Sequence, residues 1–278
     1  MVKHRISFLT VIKDVFLAVM VVLVTVPFLW MIMTSLQPDT AHVLAKPVRF
    51  PFPPAFSNYI KAWNAEPFDI YTMNSLLIAV SATVLQIITA ILAAYAFAAL
   101  RFKGKNAVFM LLLAVLMMPT QVGIVPMYMT ISKLGWLDTY KALIIPFAAD
   151  AYGIFHIRQS FMSVPKDFAE AAKIEGAGHL RIAFQVYGRL SVPSVIAYAI
   201  MAFKWRWNDY FWVLIMTSST VKRTLPVGIV MMKEVADGGT QWHILMAATL
   251  IVLAPMIVLY LALQKYFTND YLKGGLKG

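Results

Sequence analysis

Long apolar blocks alternate with shorter polar segments along the whole chain. A helix needs about 20 mainly apolar residues to cross the hydrocarbon core of a membrane, and irregular backbone cannot face lipid. Blocks of that length predict six transmembrane helices, at residues 15–36, 75–100, 107–131, 142–161, 194–216 and 244–266. The pattern predicts an all-α membrane protein in which residues 1–278 form one transmembrane domain.

Prolines fall inside several of these blocks, at Pro27, Pro119, Pro126, Pro146 and Pro255. Within a membrane, the backbone groups that a proline frees must be satisfied by neighbouring helices or by a protein-lined cavity. The prolines therefore predict helices that are kinked around a cavity, rather than plain membrane anchors.

Composition agrees with this class. Hydrophobic residues make up 60% of the 278 and charged residues 13%, with a mean hydropathy of +0.73; soluble domains carry about 25% charged residues. The absence of cysteine excludes disulfides, thiolate metal sites and cysteine nucleophiles. The basic N-terminus resembles a signal peptide, but its apolar run exceeds the usual length of about 7–15 residues and lacks an A-x-A-like cleavage site. We therefore predict a retained first span.

The distribution of Lys and Arg predicts the orientation. Fourteen of them lie in the N-terminal segment, the connections after spans two and four, and the C-terminal segment, against eight in the other connections. An excess of basic residues marks the cytoplasmic side. Both termini and the connection 162–193 are therefore predicted to be cytoplasmic. The net charge of +11 follows largely from this rule, so it gives no support to nucleic-acid binding.

The cytoplasmic connection 162–193, called the knob below, is too polar to span a membrane. Asp167 is predicted as an N-cap, with Glu170 three residues later as in a capping box. An alanine-rich run favours a short helix, and Gly176 and Gly178 are predicted to end it with positive φ. A second short helix is predicted near 179–187. Alanines allow close approach, so the knob suits docking into a groove of a soluble partner; an ordinary helical loop remains the alternative.

Several stretches carry a family resemblance. In order they are "PFLWMIMTSL", "NSLLIAVSATVLQIITAILAAYAFAALRFKGK", "MMPTQVGIVPMYM", "GWLDTYKALIIP", "EAAKIEGAG" with "FQV", "WNDYFW" and "LKGGLKG". This series resembles the permeases of binding-protein-dependent ABC importers, in the carbohydrate-uptake branch that includes the maltose-type and glycerol-phosphate-type second permeases. Two positions depart from the family pattern: Glu175 replaces an aspartate, and Gly188-Arg189 replaces Leu-Pro.

The resemblance implies the type I ABC importer permease fold of six transmembrane helices in a bacterial inner membrane. It implies that the knob is the coupling helix of an "EAA" loop, seated in a cleft of a cytoplasmic ATPase. The positions that match the coupling motif are Glu170, Ala171, Ala172 and Gly176. It also implies that the tail "LKGGLKG" reaches the ATPase interface; a frayed basic tail is the alternative.

The resemblance further implies the partners: a homodimeric ATPase, a second homologous permease, an extracytoplasmic solute-binding protein, membrane lipid, and a sugar or sugar derivative as substrate. The chain contains no G-x-x-x-x-G-K-[ST] motif to hold phosphates. ATP and Mg²⁺ are therefore expected on the ATPase, with no cofactor in this chain and no enzymatic activity of its own.

The stretch "FKWRWNDYFW" places polar residues in the fifth predicted span. A basic residue at a helix centre costs about 2.5–3.5 kcal/mol on insertion, so it usually faces a cavity or a partner. The candidate residues of the translocation path are Lys204, Trp205, Arg206, Trp207, Asn208 and Asp209.

Two interpretations of this stretch stay open. Arg206 and Asp209, as i,i+3 neighbours, can neutralise each other while Lys204 extends to an interface. Alternatively, Lys204 and Arg206 line the path and attract an anionic sugar derivative, with the tryptophans stacking on the sugar. Weaker cavity candidates, for which packing or capping is the simpler role, are Asp150, Tyr152 and Gln121.

The main rival is a secondary transporter driven by an ion gradient. Such proteins often show inverted repeats and acidic coupling residues. We find no sequence repeat, and the knob would have no role in such a transporter. A membrane-embedded enzyme would need clustered catalytic groups, whereas the five histidines of this chain are scattered.

Overall fold

The computed structural model describes residues 8–40, 43, 50–234 and 240–275. It is 80% helical, and no strand occurs among the described residues, which confirms the all-α prediction. The helices are α1 (Phe8–Ser35), α2 (Ser57–Ala65), α3 (Phe68–Ala99), α4 (Lys105–Leu116), α5 (Ile124–Lys133), α6 (Tyr140–Ile144), α7 (Ala151–Met162), α8 (Lys166–Ile174), α9 (His179–Arg181), α10 (Val192–Trp207), α11 (Phe211–Met216), α12 (Leu225–Glu234) and α13 (Trp242–Gly275). A π-helical segment, Ile182–Gly188, continues α9.

Within the described part of the chain, three single helices are long and apolar enough to cross a membrane. They comprise Val11–Ser35 in α1, Phe68–Ala99 in α3 and Trp242–Ala262 in α13. These helices correspond to predicted spans one, two and six. The first and last continue through Pro27 and Pro255, respectively, so these two prolines do not break their helices.

Two further pairs of helices meet the same criterion if each pair is counted as one bent span. The segments Lys105–Leu116 and Thr120–Lys133 meet at 97°, and His179–Gly188 meets Val192–Trp207 at 91°. Pro119 lies at the first bend, as the proline argument predicted.

The fourth predicted span, 142–161, is divided among several helices. It contains most of α6, a 3₁₀ turn at Ile145–Phe147 that includes Pro146, and α7 almost to its end. Helical segments thus occupy the positions of all six predicted spans, but several of them are broken.

The chain folds as two compact units. The first consists of residues 1–68 and 229–254. Within it, the buried Asn58 of α2 donates hydrogen bonds to the backbone oxygens of Ser35 at 2.9 Å and Gln37 at 2.7 Å. These bonds satisfy carbonyl groups at and just beyond the end of α1 and fix α2 there.

The second unit consists of residues 69–228 and 255–278. Its core joins residues of α3, α4, α7, the knob and α10. Small residues of α3, such as Ala90 and Ala94, allow close packing beside Phe161 of α7 and Ile182 of the knob, all of them buried. The knob is therefore packed into the body of this unit.

Candidate coupling surface and translocation cavity

The first helix of the knob starts two residues earlier than the sequence indicated. Pro165 is the N-cap, with φ −58°, and no side chain caps the helix. The predicted capping box of Asp167 and Glu170 is therefore wrong. The helix begins directly after Pro165, so Asp167 lies inside its first turn. There its carboxylate still complements the positive end of the helix.

The end of α8 follows the prediction for Gly176, which has φ +81°. The Gly176 N–H donates to the Lys173 oxygen at 2.9 Å, and the Ala177 N–H donates to the Ala172 oxygen at 2.9 Å. These two bonds form a Schellman motif, which satisfies the carbonyl groups at the end of the helix. Gly178, by contrast, has an extended conformation with φ −71°, so its predicted positive φ is wrong.

The candidate coupling residues of the motif have different surroundings. Glu170, Ala171 and Gly176 are exposed. Ala172 is partly buried and packs against the hydrophobic core of the second unit. The motif therefore presents one carboxylate and one methyl group outwards, while its second alanine holds the helix to its own domain.

Large apolar side chains lie exposed beside the motif. Ile174 is 89% exposed, Leu180 67% and Phe168 52%. Such side chains in contact with water mark an interaction surface when they gather on one segment. The sequence analysis did not identify Phe168 or Ile174 as part of this surface. The signal that could have identified them is the alanine face of α8. Because this face packs against the core, the larger apolar residues of the helix remain exposed.

The fifth predicted span is broken, so its description as one helix over 194–216 is wrong. Asn208 Nδ2 donates to the Lys204 oxygen at 2.8 Å and satisfies a carbonyl at the end of α10. Asp209 Oδ1 accepts from the Trp212 N–H at 3.2 Å, in the first turn of α11. Two adjacent polar side chains thus end one helix and begin the next, because they compete with the continuous backbone ladder.

The Arg206–Asp209 pair fixes this break against α6. The Arg206 guanidinium donates to Asp209 Oδ2 at 2.9 Å, and the two side chains are 15% and 17% exposed. The guanidinium lies over the Phe147 ring, 3.6 Å from its centroid. Trp212 Nε1 donates to the Ala142 oxygen at 3.0 Å. This geometry matches the interpretation in which the two charges neutralise each other.

The remaining candidates separate into buried and exposed residues. Trp207 is 1% exposed and stacks on Phe203 with centroids 5.6 Å apart, as a core residue does. Lys204 is exposed. Trp205 is 41% exposed and lies edge-on to Tyr152, with ring centroids 5.6 Å apart. Lys204, Trp205 and Asn208 are therefore the exposed members of this candidate set.

Ligand pockets usually measure about 300–1,000 Å³, and a cavity of ≈ 630 Å³ lies where two broken spans face each other. Its lining is mainly apolar and includes Met118, Pro119, Gln121, Phe147, Arg206 and Trp212. The bend between α4 and α5 forms one side, and the break between α10 and α11 forms another. Of the five prolines, Pro119 therefore borders this cavity, and Gln121 also lines it.

Asp150 has the simpler role that the sequence suggested for it. Its Oδ2 accepts from the Gly153 N–H at 2.8 Å, as the N-cap of α7, and from the Tyr198 hydroxyl at 3.0 Å. Tyr152 stacks on His156 with centroids 5.8 Å apart. Both residues support the packing of α7 against α10.

The C-terminal tail cannot be followed to its end, because residues 276–278 lie outside the described part of the chain. Among the described residues, no group of three or more His, Asp or Glu side chains could hold a metal ion.

Comparison with known proteins identifies a family. Residues 86–273 match the model of the "Binding-protein-dependent transport system inner membrane component" family. The sn-glycerol-3-phosphate transport system permease protein UgpE of Yersinia pestis is 34% identical over 83% of this chain and 85% of its own length. The sulfoquinovosyl glycerol transport system permease protein SmoH of Agrobacterium fabrum is 31% identical over 91% of this chain and 88% of its own.

A solved structure shows the same fold. A chain of a bacterial ABC transporter involved in the import of the acidic polysaccharide alginate superposes with a TM-score of 0.84. It shares 22% sequence identity, and the match covers 96% of this chain and 99% of the other.

Proposed function

Because the chain belongs to the family of binding-protein-dependent transport system inner membrane components, we propose that its knob couples a cytoplasmic ATPase to solute import. The chain is a permease subunit of a sugar ABC importer and is not itself an enzyme. The observation that carries the proposal is the exposed surface of the knob, where Glu170 and Ala171 lie beside the apolar Phe168 and Ile174.

The proposed complex contains a homodimeric ATPase that binds ATP and Mg²⁺, a second homologous permease, and an extracytoplasmic solute-binding protein. This chain forms half of the translocation pathway. Both termini and the knob lie in the cytoplasm, which places the connections 134–139 and 217–224 on the outer face. The basic residues of the two sides support this orientation.

Docking of the knob is tested by Ile174→Glu, which puts a charge on its most exposed apolar side chain. The matched control is Asn106→Glu, which adds the same charge at an exposed position in the first turn of α4. From gently solubilised membranes, the wild type and the control should co-purify the ATPase and the second permease. Ile174→Glu should retain the second permease and lose most of the ATPase.

The proposal is wrong if the wild-type chain carries no ATPase and still supports uptake that a protonophore abolishes. That result would identify an ion-driven transporter instead. It is equally wrong if Ile174→Glu and Asn106→Glu retain the same amount of ATPase as the wild type.

We assign the substrate to anionic sugar derivatives. UgpE and SmoH are named for a phosphate ester and a sulfonated glycoside, both of which are anions. In this chain Lys204 supplies the exposed positive charge, and Trp205 supplies an aromatic face for a sugar ring. Arg206 is bound to Asp209, so its charge serves the break in span five rather than the solute.

The substrate assignment is tested with sn-glycerol 3-phosphate and maltose as probes in vesicles that contain the complete importer. We expect uptake of the phosphate ester, no uptake of maltose, and a lower uptake rate in Lys204→Gln. Lys133→Gln, which removes an exposed charge at the end of α5, is the control and should transport normally. Uptake of maltose alone, or an unchanged rate in Lys204→Gln, would refute the assignment.

A further inference from the structure

Helix α3 is attached at both of its ends to segments that have different roles. Near its C-terminus, Tyr95 Oη lies 2.8 Å from His179 Nδ1, at the start of the second helix of the knob. Near its N-terminus, Asn74 Nδ2 donates to the backbone oxygens of Val221 at 2.9 Å and Arg223 at 2.8 Å. The same helix thus holds the knob and an outer connection.

The attachment to the knob is rigid. Tyr95 is 4% exposed, and its ring lies edge-on to Tyr187 in the π-helical segment, with centroids 5.5 Å apart. Tyr187 in turn contacts Phe161 of α7, with centroids 5.3 Å apart. A densely packed aromatic contact of this kind does not deform continuously, so a displaced knob carries Tyr95 with it.

The outer attachment is equally well formed. Asn74 is 3% exposed, and its Oδ1 accepts from the Tyr140 hydroxyl at 2.7 Å. Next to it, Ser75 Oγ accepts from the Leu225 N–H at 2.9 Å. Because the polar atoms of the Asn74 amide are bonded to the connection 217–224 and to the first residue of α6, a shift of α3 along its axis must move these segments or break the bonds.

The distance between the two attachments matches a membrane. Asn74 and Tyr95 are 21 positions apart on one uninterrupted helix, which is about 32 Å at 1.5 Å per residue. The hydrocarbon core is about 30 Å thick. In contrast to spans three and five, α3 has no break that could absorb a displacement.

We propose that α3 is the element that links the ATPase site to the binding-protein side, with Tyr95–His179 and Asn74–Tyr140 as its two attachments. The inference rests on the proposed function, because it requires an ATPase at the knob and a binding protein at the outer face. Tyr95, His179, Asn74 and Tyr140 are positioning residues: they act through the helix and do not touch the solute.

The test compares near-isosteric variants in the reconstituted importer. Tyr95→Phe removes the hydroxyl and keeps the ring against Tyr187, and Tyr140→Phe removes the bond to Asn74. Tyr128→Phe, at an exposed position of α5, is the control. The measured quantity is the factor by which loaded binding protein, with sn-glycerol 3-phosphate as probe, stimulates ATP hydrolysis.

Each linking variant should lower this stimulation by about fivefold or more, while the amount of bound ATPase and the basal hydrolysis stay as in the wild type. Because the two attachments act in series, the stimulation in the double variant should be no lower than in the more impaired of the two single variants.

Unchanged stimulation in Tyr95→Phe, with the ATPase bound, overturns the inference and leaves the proposed function intact. A parallel loss of basal and stimulated hydrolysis also overturns it, because that pattern indicates damage to the fold. Failure of the wild-type chain to bind the ATPase would instead refute the proposed function on which the inference rests.

Discussion

Arg206 and Asp209 form an ion pair of 2.9 Å across the break between α10 and α11, and both side chains are largely shielded from solvent. A second constraint acts on the guanidinium, which lies over the ring of Phe147. The two charges therefore stabilise an irregular stretch of backbone beside the cavity. This role explains why a membrane-embedded segment keeps both residues.

Removing one member of this pair should destabilise the protein. In Arg206→Gln, the Asp209 carboxylate remains in its shielded site without a cation, at a cost of about 3 kcal/mol. We expect a lower yield of folded protein and a lower melting temperature in detergent. The double variant Arg206→Gln/Asp209→Asn should recover most of the loss, because no unpaired charge remains.

Lys204→Gln serves as the control, since this exposed side chain can be changed without leaving a shielded charge. Its melting temperature should equal that of the wild type. Equal melting temperatures of Arg206→Gln and the double variant would show that the pairing contributes nothing.

The contact between α7 and α10 depends on a residue without a side chain. The buried ring of Tyr198 occupies the space that a Cβ on Gly153 would take. Gly153→Ala should therefore cost about 1–3 kcal/mol by overpacking. Gly123→Ala is the matched control, because no atom lies within 4 Å of its added Cβ. Thermal unfolding of the two variants side by side checks the prediction, which fails if they unfold at the same temperature.

Hydropathy correctly located the spans that consist of one uninterrupted apolar helix. The i,i+3 spacing of Arg206 and Asp209 also predicted their ion pair, because that contact depends only on local helix geometry. The sequence did not reveal the break at Asn208, since a hydropathy average over some 20 residues counts two or three polar residues as a minor interruption. Their capping bonds become visible only when both helix ends are known.

The knob likewise has some features that the sequence predicts and others that it does not. The turn at Gly176 followed from the preference of glycine for positive φ, which is a property of the residue itself. The start of α8 did not follow from the sequence, because Pro165 and Asp167 are both typical of the start of a helix. Only the backbone conformation distinguishes between them. The exposure of Ile174 depends on which face of α8 packs against α3 and α7, which is a matter of tertiary structure.

The turn at Gly176 also provides a pair of variants that differ in backbone conformation alone. Gly176 has φ +81° and Gly178 has φ −71°, and both have open space where a Cβ would lie. Gly176→Ala should cost about 1–2 kcal/mol, because a left-handed conformation is unfavourable for alanine. Gly178→Ala should be nearly neutral.

Hydrogen exchange at the backbone amides of Glu175, Gly176 and Ala177 checks this prediction. These amides donate the bonds that close α8, so they should exchange faster in Gly176→Ala and at the wild-type rate in Gly178→Ala. Equal protection in both variants would mean that the Schellman motif does not hold the end of the helix.

Asp138 binds the connection 134–139, in which it lies, to the connection 217–224. It has φ +57°, and its Oδ1 accepts from the Ser218 and Ser219 N–H groups at 3.1 Å each and from the Ser219 hydroxyl at 2.9 Å. These bonds, the Ser219 amide foremost, hold the pKa of Asp138 below its ordinary value of 3.8. Lys222 lies 3.8 Å from the ring centroid of Tyr140, close to this fastening.

Asp138→Gly should release the connection that carries the trypsin sites Lys222 and Arg223. Glycine tolerates the positive φ, so the variant removes the acceptor without adding strain. We expect cleavage after these residues to accelerate at least about tenfold, because the variant removes the acceptor of three hydrogen bonds of about 0.5–1 kcal/mol each. Ser218→Ala keeps the N–H donor and should be cleaved at the wild-type rate.

The same fastening should be insensitive to pH across the neutral range. A carboxyl group whose pKa is lower in the folded protein stabilises it fully above the unfolded pKa of about 3.9. That contribution is lost only as the pH falls through the still lower folded pKa. Protection from trypsin in the wild type should therefore be constant from pH 8 to about pH 5.5, after normalisation to an unfolded peptide. A wild-type chain that becomes as sensitive as Asp138→Gly within this range would show that Asp138 does not hold the connection as a carboxylate.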